Sequence, residues 1–127
     1  MPLSQEPPDF RFVPSAVASD GRVTVNGQVL SSSFYLTPEA LVEGWAPATA
    51  ASMEPTHLDA ILALAPTVIL LGSGARLVFP ATAVMAAALT RGIGIEVMDN
   101  AAAARTFAVL ASEGRRVVAA FLVPPSA

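Results

Sequence analysis

The stretch Thr67-Val-Ile-Leu-Leu-Gly-Ser-Gly-Ala-Arg76 decides the fold class of this chain. Its run of β-branched and leucine residues has no polar alternation, which is typical of a strand that helices bury on both faces. Helical and strand patterns alternate after it, at about 81–91, 94–98, 100–113 and 116–122. Alternating strands and helices predict an α/β unit, a mixed sheet with helices on its faces and right-handed crossovers. This pattern leaves the direction of the last strand open.

The helices of this unit have recognisable start and stop signals. The first is predicted to begin at Thr56-His-Leu-Asp59, which has capping-box form, and to run to about Ala65 because Pro66 cannot continue it. Either Asp99 or Asn100 is expected to cap the helix at 100–113, since both residue types are favoured at that position.

Residues 10–36 predict an antiparallel β meander packed at one side of the sheet. Phe10-Arg-Phe-Val13 is interpreted as an edge strand. The pairs Asp20-Gly21 and Asn26-Gly27 predict tight hairpin turns, because these residues tolerate positive φ at both central positions. Residues 28–36 then read as one longer strand that Thr37-Pro38 ends.

The segment between the meander and the first helix is less regular. Glu39-Ala-Leu-Val42 fits either a turn of helix or a short strand. Further along, after the strand at 67–71, Arg76-Leu-Val-Phe79 fits a short extended piece. Gly44-Trp45-Ala-Pro47 reads as a loop that carries the one tryptophan. Trp45 is interpreted either as core packing under this loop or as a lid or partner anchor.

Length and composition set the domain organisation. A chain of 127 residues suits one domain with a single core. We place that domain at 10–123, with a proline-rich, disordered or extended tail at 1–9 and a short tail at 124–127.

Charge and residue usage exclude several function classes. The seven basic residues are all arginine and the net charge is −3, so we expect no nucleic-acid binding. No cysteine and one histidine, His57, argue against disulfides, metal sites and a cysteine nucleophile, and no cofactor is expected. The apolar runs at 58–71 and 77–89 are interrupted by proline and shorter than a membrane span. We therefore expect a soluble protein of a bacterial cytoplasm, not an integral membrane protein.

The glycines after the buried strand are the first candidate site. A dinucleotide-binding fingerprint would place a third glycine where this chain has Leu77, and the chain has no lysine for a phosphate loop. A tight strand exit is therefore the favoured interpretation of Gly72-Ser73-Gly74. The carboxyl end of a strand is nevertheless where an open α/β sheet binds ligands, so these residues and Arg76 are kept as candidates.

Arg105 is the second candidate. It lies about 200° around its helix from Ala103, and so points away from the apolar face that Ala103 and Phe107 form. One interpretation is an exposed or salt-bridged arginine. The other is recognition of an anion or a partner, together with Thr106 and Arg76.

Four segments together resemble a known family. They are Leu70-Leu-Gly-Ser-Gly-Ala-Arg-Leu-Val-Phe-Pro80, Arg91-Gly-Ile-Gly-Ile-Glu-Val-Met-Asp99, Ala104-Arg-Thr-Phe-Ala-Val-Leu110 and Glu113-Gly-Arg-Arg-Val117. As an ordered set they resemble a family of small α/β domains of unknown biochemical role. Its mitochondrial member is an assembly factor of respiratory complex I (NADH:ubiquinone oxidoreductase complex assembly factor 3). The resemblance implies a three-layer fold around a mixed five-stranded sheet with an extra β element.

The resemblance also bears on single residues. Gly72, Gly74, Arg105 and Thr106 match the family's pattern. This chain departs from it at Asn100, where the family often has threonine, and at Ala108, where it commonly has asparagine.

We therefore expect a non-catalytic interaction or assembly-factor-like module, with no catalytic residue and a protein partner. The predicted binding residues are Gly72, Ser73, Gly74, Arg76, Arg105, Thr106 and Trp45. The first alternative is a domain or enzyme that binds a small anion between the Gly72–Arg76 loop and Arg105. The second is oligomerisation alone.

Overall fold

The computed structural model describes residues 11–124. The predicted tail at 1–9 and most of the one at 124–127 lie outside this range. A small antiparallel sheet has the order β1-β2-β3, with strands β1 (Pro14–Val17), β2 (Val23–Val25) and β3 (Gln28–Leu30). At the β2–β3 turn Asn26 and Gly27 have φ values of 50° and 83°, as the Asn-Gly signal predicts.

A larger mixed sheet forms the centre of the domain, in the order β5-β4-β8-β6-β7. Its strands are β4 (Phe34–Leu36), β5 (Leu41–Glu43), β6 (Val68–Gly72), β7 (Gly94–Met98) and β8 (Val117–Phe121). The last strand, β8, runs parallel to β6 and antiparallel to β4, which settles its direction.

Three of the connections between these strands contain helical segments. They are a 3-10 turn (Pro55–Leu58) continued by α1 (Asp59–Ala63), then α2 (Thr82–Leu89) and α3 (Asn100–Ser112). None of the helices within residues 11–124 combines the length and apolarity needed to cross a membrane.

The strand β6, which contains the apolar run that decides the fold class, is buried on both faces, as its sequence predicts. Val68 and Leu70 belong to a core shared with α3 and the small sheet, whereas Ile69 and Leu71 belong to a core shared with α1 and α2. Alternate side chains of one strand therefore supply both interfaces of a three-layer fold. The predicted α/β class, the five-stranded mixed sheet and the N-terminal β element are confirmed.

The strand predicted at Phe10–Val13 is wrong over its described residues, 11–13. Residues 11–13 have no strand conformation, and the first strand begins at Pro14. The side chain of Asn26 forms hydrogen bonds with backbone groups of this segment instead. Its Oδ1 accepts from Val13 N at 2.9 Å and its Nδ2 donates to the Arg11 carbonyl at 2.7 Å.

The predicted single strand at 28–36 is also wrong, because Ser31–Ser33 divide it between two sheets. Ser33 Oγ accepts from Val123 N at 2.9 Å, and the Ser33 carbonyl accepts from Trp45 N at 3.1 Å. These two bonds hold the chain where it leaves β3 for the central sheet, so the meander ends at Leu30. The strand alternative for Glu39–Val42 is the one observed, as β5.

The ends of the first helix differ from prediction as well. Thr56 does not cap it: helical structure begins at Pro55, where His57 Nδ1 accepts from Glu54 N at 2.9 Å. The helix ends at Ala63, two residues early, and Ala65 has a positive φ of 52°.

Candidate functional site

Asn100 is a buried polar side chain at the start of α3, and it connects four segments. Its Nδ2 donates to the carbonyls of Gly21 at 2.8 Å and Leu122 at 3.0 Å, and its Oδ1 accepts from Gly74 N at 3.1 Å. Its backbone N–H donates to the Gly74 carbonyl at 2.8 Å. The capping role belongs to Asp99, whose carboxylate accepts from Ala102 N at 2.8 Å. The β1–β2 turn, the loop after β6, the end of β8 and α3 thus meet at one amide.

Gly72 is explained by the close approach of this amide. A Cβ atom at Gly72 would overlap Asn100 Oδ1 and would lie 3.1 Å from Phe121 Cδ1. The missing side chain therefore makes room for a protein group, rather than for a phosphate.

Ser73 fixes the loop that follows. Its Oγ lies 2.6 Å from the Arg76 carbonyl and accepts from Val78 N at 3.0 Å, while its own N–H donates to the Met98 carbonyl at 2.8 Å. The backbone amides of Ser73 and Gly74, which an anion would need, thus donate to groups within the chain. The loop is ordered by its own hydrogen bonds, and Gly72, Ser73 and Gly74 are all buried.

The turn that meets Asn100 also carries an ion pair. Arg22 Nε lies 2.8 Å from Asp20 Oδ2, and Arg22 N donates to Asp20 Oδ1 at 3.1 Å. The backbone amide of Arg22, and after it the guanidinium, lowers the pKa of Asp20 below its ordinary value. Both residues are exposed, so the pair is a local feature of the turn.

The structure places Arg105 apart from the glycine loop. Arg105 is exposed and lines a groove of about 310 Å³ between α3 and β1, to which no residue of the Gly72–Arg76 loop contributes. Arg76 is also exposed, and within residues 11–124 neither guanidinium forms an ion pair. Thr106 is partly buried beside Arg105 in the chain.

Trp45 is held by the layer that contains α1. Its Nε1 donates to the His57 carbonyl at 3.0 Å, and its ring meets Tyr35 edge-on with centroids 6.3 Å apart. It packs against the core on the α1 and α2 face and is partly buried. One edge borders a groove of about 250 Å³ beside Ser31–Ser33.

A feature that the sequence did not reveal lies just beyond Ser73. Leu77, Val78 and Phe79 are successive apolar residues with 54%, 46% and 63% of their surface exposed. They belong to no strand of either sheet. We name them the 77–79 patch. The other exposed large apolar residues stand singly in the sequence: Val29, Val42, Leu64, Leu89 and Val109.

A groove of about 610 Å³ lies at the opposite end of the sheet, beside the C-terminus of α3. Arg115 and Arg116 line it, but so do Glu39 and Glu113, and Arg116 Nη2 donates to the Ala65 carbonyl at 2.6 Å. The carbonyl end of a helix disfavours anions, so these arginines do not form an evident anion site. In the described part of the chain, no three His, Cys, Asp or Glu side chains cluster as metal ligands would.

The family model described as "Protein of unknown function (DUF498/DUF598)" matches residues 16–122. The chain belongs to this family. The resemblance to a family of unknown biochemical role is therefore confirmed at that level. No curated protein matches the sequence.

Several solved structures share this fold over most of the chain. An NMR structure from Xanthomonas campestris is 54% identical, covers 97% of this chain and 92% of its own, and has a TM-score of 0.82. A crystal structure from Bordetella parapertussis is 35% identical, with coverages of 92% and 99% and a TM-score of 0.82. A Bordetella pertussis protein described as an Mth938-like domain is 28% identical, with coverages of 100% and 95% and a TM-score of 0.80.

Proposed function

We propose that this DUF498 protein is a non-catalytic protein-interaction module that docks a protein partner on the 77–79 patch. The observation that carries the proposal is the exposure of three successive large apolar side chains on an ordered loop. Apolar residues exposed singly are ordinary, whereas contiguous ones mark interaction surfaces.

The order of the loop supports binding rather than exposure by chance. Ser73 binds the Arg76 carbonyl and Val78 N, which restrains the backbone on both sides of Leu77. A partner would then lose little chain entropy on binding. Leu77 and Phe79 retain about half or more of their surface, so covering both contributes roughly 2–4 kcal/mol of gross apolar burial.

The finer role that we propose is that of an assembly factor in a bacterial cytoplasm, carried out by a single domain at 10–123. Its support is the ordered set of motifs that resembles the family with a complex I assembly factor. An assembly factor needs a docking surface and no reaction of its own, which agrees with the 77–79 patch.

The test compares two matched serine substitutions by affinity capture from a native extract with quantitative mass spectrometry. Phe79→Ser removes the most exposed member of the patch, and Val109→Ser removes an apolar residue of 56% exposure on α3. The wild type and Val109→Ser should retain the same partners, which Phe79→Ser should lose. Capture that is equal for all three, or absent under several conditions, contradicts the proposal.

The alternative is recognition of a small anion at Arg105, with Thr106 beside it in the chain; Arg76 and the Gly72–Gly74 loop do not line this groove and are not part of the site. The exposed guanidinium of Arg105, in a groove and without an ion pair among the described residues, is the observation in its favour. Thermal shifts with phosphate, nucleotides and small carboxylates test it. A shift that Arg105→Ala abolishes and Arg91→Ala keeps would support this alternative, and no shift with any anion would reject it.

A further inference from the structure

The strand β7 is the last strand of the five-stranded sheet, and no strand among residues 11–124 pairs with its outer edge. On this strand Val97 is half-buried and Ile95 is buried, with 7% of its surface exposed. Gly94 N donates to the Thr67 carbonyl at 3.4 Å and the Met98 carbonyl accepts from Ser73 N at 2.8 Å, so both face β6. Successive residues of a strand point their backbone groups to opposite edges. The N–H and C=O groups of Ile95 and Val97 therefore point outward. Across residues 11–124 neither residue has a backbone hydrogen bond on that side.

The loop that carries the 77–79 patch is hydrogen-bonded to the end of this strand. Ser73 donates from its N–H to the carbonyl of Met98, the last residue of β7, and accepts from Val78 N through its Oγ at 3.0 Å. One residue thus joins the end of the edge strand to the middle of the patch.

We propose that β7 binds an extended peptide segment of a partner protein as a sixth strand, and that an apolar residue of this segment covers the 77–79 patch. The inference rests on the proposed interaction role and specifies how the partner binds. Backbone groups of Val97 and Ile95 supply the hydrogen bonds, as in other cases of strand addition.

Charge defines the chemistry of the partner. Glu96 is the charged residue of β7, and its side chain is exposed. A cross-strand neighbour of opposite charge stabilises a strand pair, and a like charge opposite destabilises it. The partner segment should therefore carry Arg or Lys opposite Glu96, between apolar residues.

Glu96 also argues against a second copy of this chain as the occupant. A two-fold antiparallel pairing of β7 centred on Glu96 would place the two carboxylates directly opposite each other. Charged residues on edge strands are a common device against such self-pairing.

The experiment selects displayed random peptides of about ten residues on the immobilised full chain, a length that exceeds a typical strand. Binding of the selected peptides is then measured for the wild type, Val97→Pro and Val97→Thr. Proline removes the outward N–H without removing a bond to β6, and threonine keeps that N–H in a β-branched residue. Each variant is first shown to be folded by its cooperative thermal unfolding transition.

The selected peptides should alternate apolar residues around an Arg or Lys. Val97→Pro should weaken their binding about tenfold or more, because it removes the hydrogen bond from the residue 97 N–H to the peptide and disturbs the bonds next to it. Val97→Thr keeps this N–H, so its binding should stay within about threefold of the wild type. Glu96→Gln should weaken binding and reduce its salt dependence. On the wild-type protein, hydrogen exchange at the Val97 amide should slow on binding, and that of Glu96, already bonded to β6, should not.

Peptides that bind Val97→Pro as tightly as the wild type, or a Val97 amide that stays unprotected, overturn strand addition. If such peptides still lose binding to Phe79→Ser, the interaction role stands and only this mode of binding fails. If the wild-type protein alone dimerises as its concentration rises, and Val97→Pro does not, the occupant of the β7 edge is a second copy of this chain and the peptide proposal is overturned.

Discussion

Replacing Asn100 by alanine should strongly destabilise the protein. The side chain is fully buried and makes three hydrogen bonds to backbone groups, those of Gly21, Gly74 and Leu122. Alanine leaves all three groups without their partner. A buried group that loses its hydrogen bond costs about 1–3 kcal/mol, and water that enters the space recovers part of this. We expect a loss of about 3–5 kcal/mol from the free energy of unfolding, a large share of the 5–15 kcal/mol typical of a domain.

Asn100→Asp separates hydrogen bonding from volume. Aspartate has the size of asparagine and keeps the acceptor for Gly74 N, but it places an oxygen where Nδ2 now donates to two carbonyls. At neutral pH it should be at least as destabilising as alanine, because it buries a charge that faces two acceptors.

Urea unfolding followed by circular dichroism measures both variants, with an unchanged m value as the check that the unfolding transition is comparable. A loss below about 1 kcal/mol for Asn100→Ala would refute the reasoning, since single buried hydrogen bonds already contribute that much. So would an Asn100→Asp variant that is more stable than Asn100→Ala.

Three further predictions concern packing, charge and hydrogen bonding elsewhere in the domain. Gly72→Ala should lower the free energy of unfolding by about 1–3 kcal/mol, because the new methyl group overpacks against the buried Asn100 amide. The control is Gly94→Ala, whose Cβ would lie 3.8 Å from its nearest atoms. It should change the free energy of unfolding by less than about 1 kcal/mol. An NMR titration should find the pKa of Asp20 below its ordinary value, and Arg22→Ala should raise it only in part, since the backbone amide of residue 22, the larger cause, remains. Because the folded pKa is lowered, the small stabilisation by Asp20 is present above its unfolded pKa and is lost as pH falls through the folded one. Trp45→Phe keeps the ring contact with Tyr35 but loses the bond to the His57 carbonyl, and should lower the free energy of unfolding by about 1 kcal/mol in thermal melts.

The layers of the fold could be predicted because they depend on local patterns. The unbroken apolar run of β6 indicates burial on both faces, and all five residues of the strand are buried. Gly92 and Gly114, which follow α2 and α3, have the positive φ that is common for glycine at helix C-termini. The break at Ser31–Ser33 could not be read in the same way, because a bond between Ser33 and Val123 joins residues 90 positions apart. Three serines are compatible with a strand until that contact is known.

The candidate site was less predictable, for a related reason. Asp99 and Asn100 have equal capping propensity, and only the fold decides that Asn100 turns inward to bind three distant backbone groups. The sequence predicts a short extended piece at Arg76–Phe79, but it does not show that the three apolar residues of that piece are exposed. Whether such residues are covered depends on the path of the loop, which Ser73 determines.

Photo-crosslinking in living cells tests the docking surface most directly. A photoreactive phenylalanine analogue at position 79 samples the 77–79 patch, where Phe79 is 63% exposed, and the same analogue at position 109 samples a site on α3, where Val109 is 56% exposed. We predict discrete crosslinked products from position 79 that position 109 does not give. The same products from both positions, or none from position 79 in protein that is folded and expressed, would contradict the account.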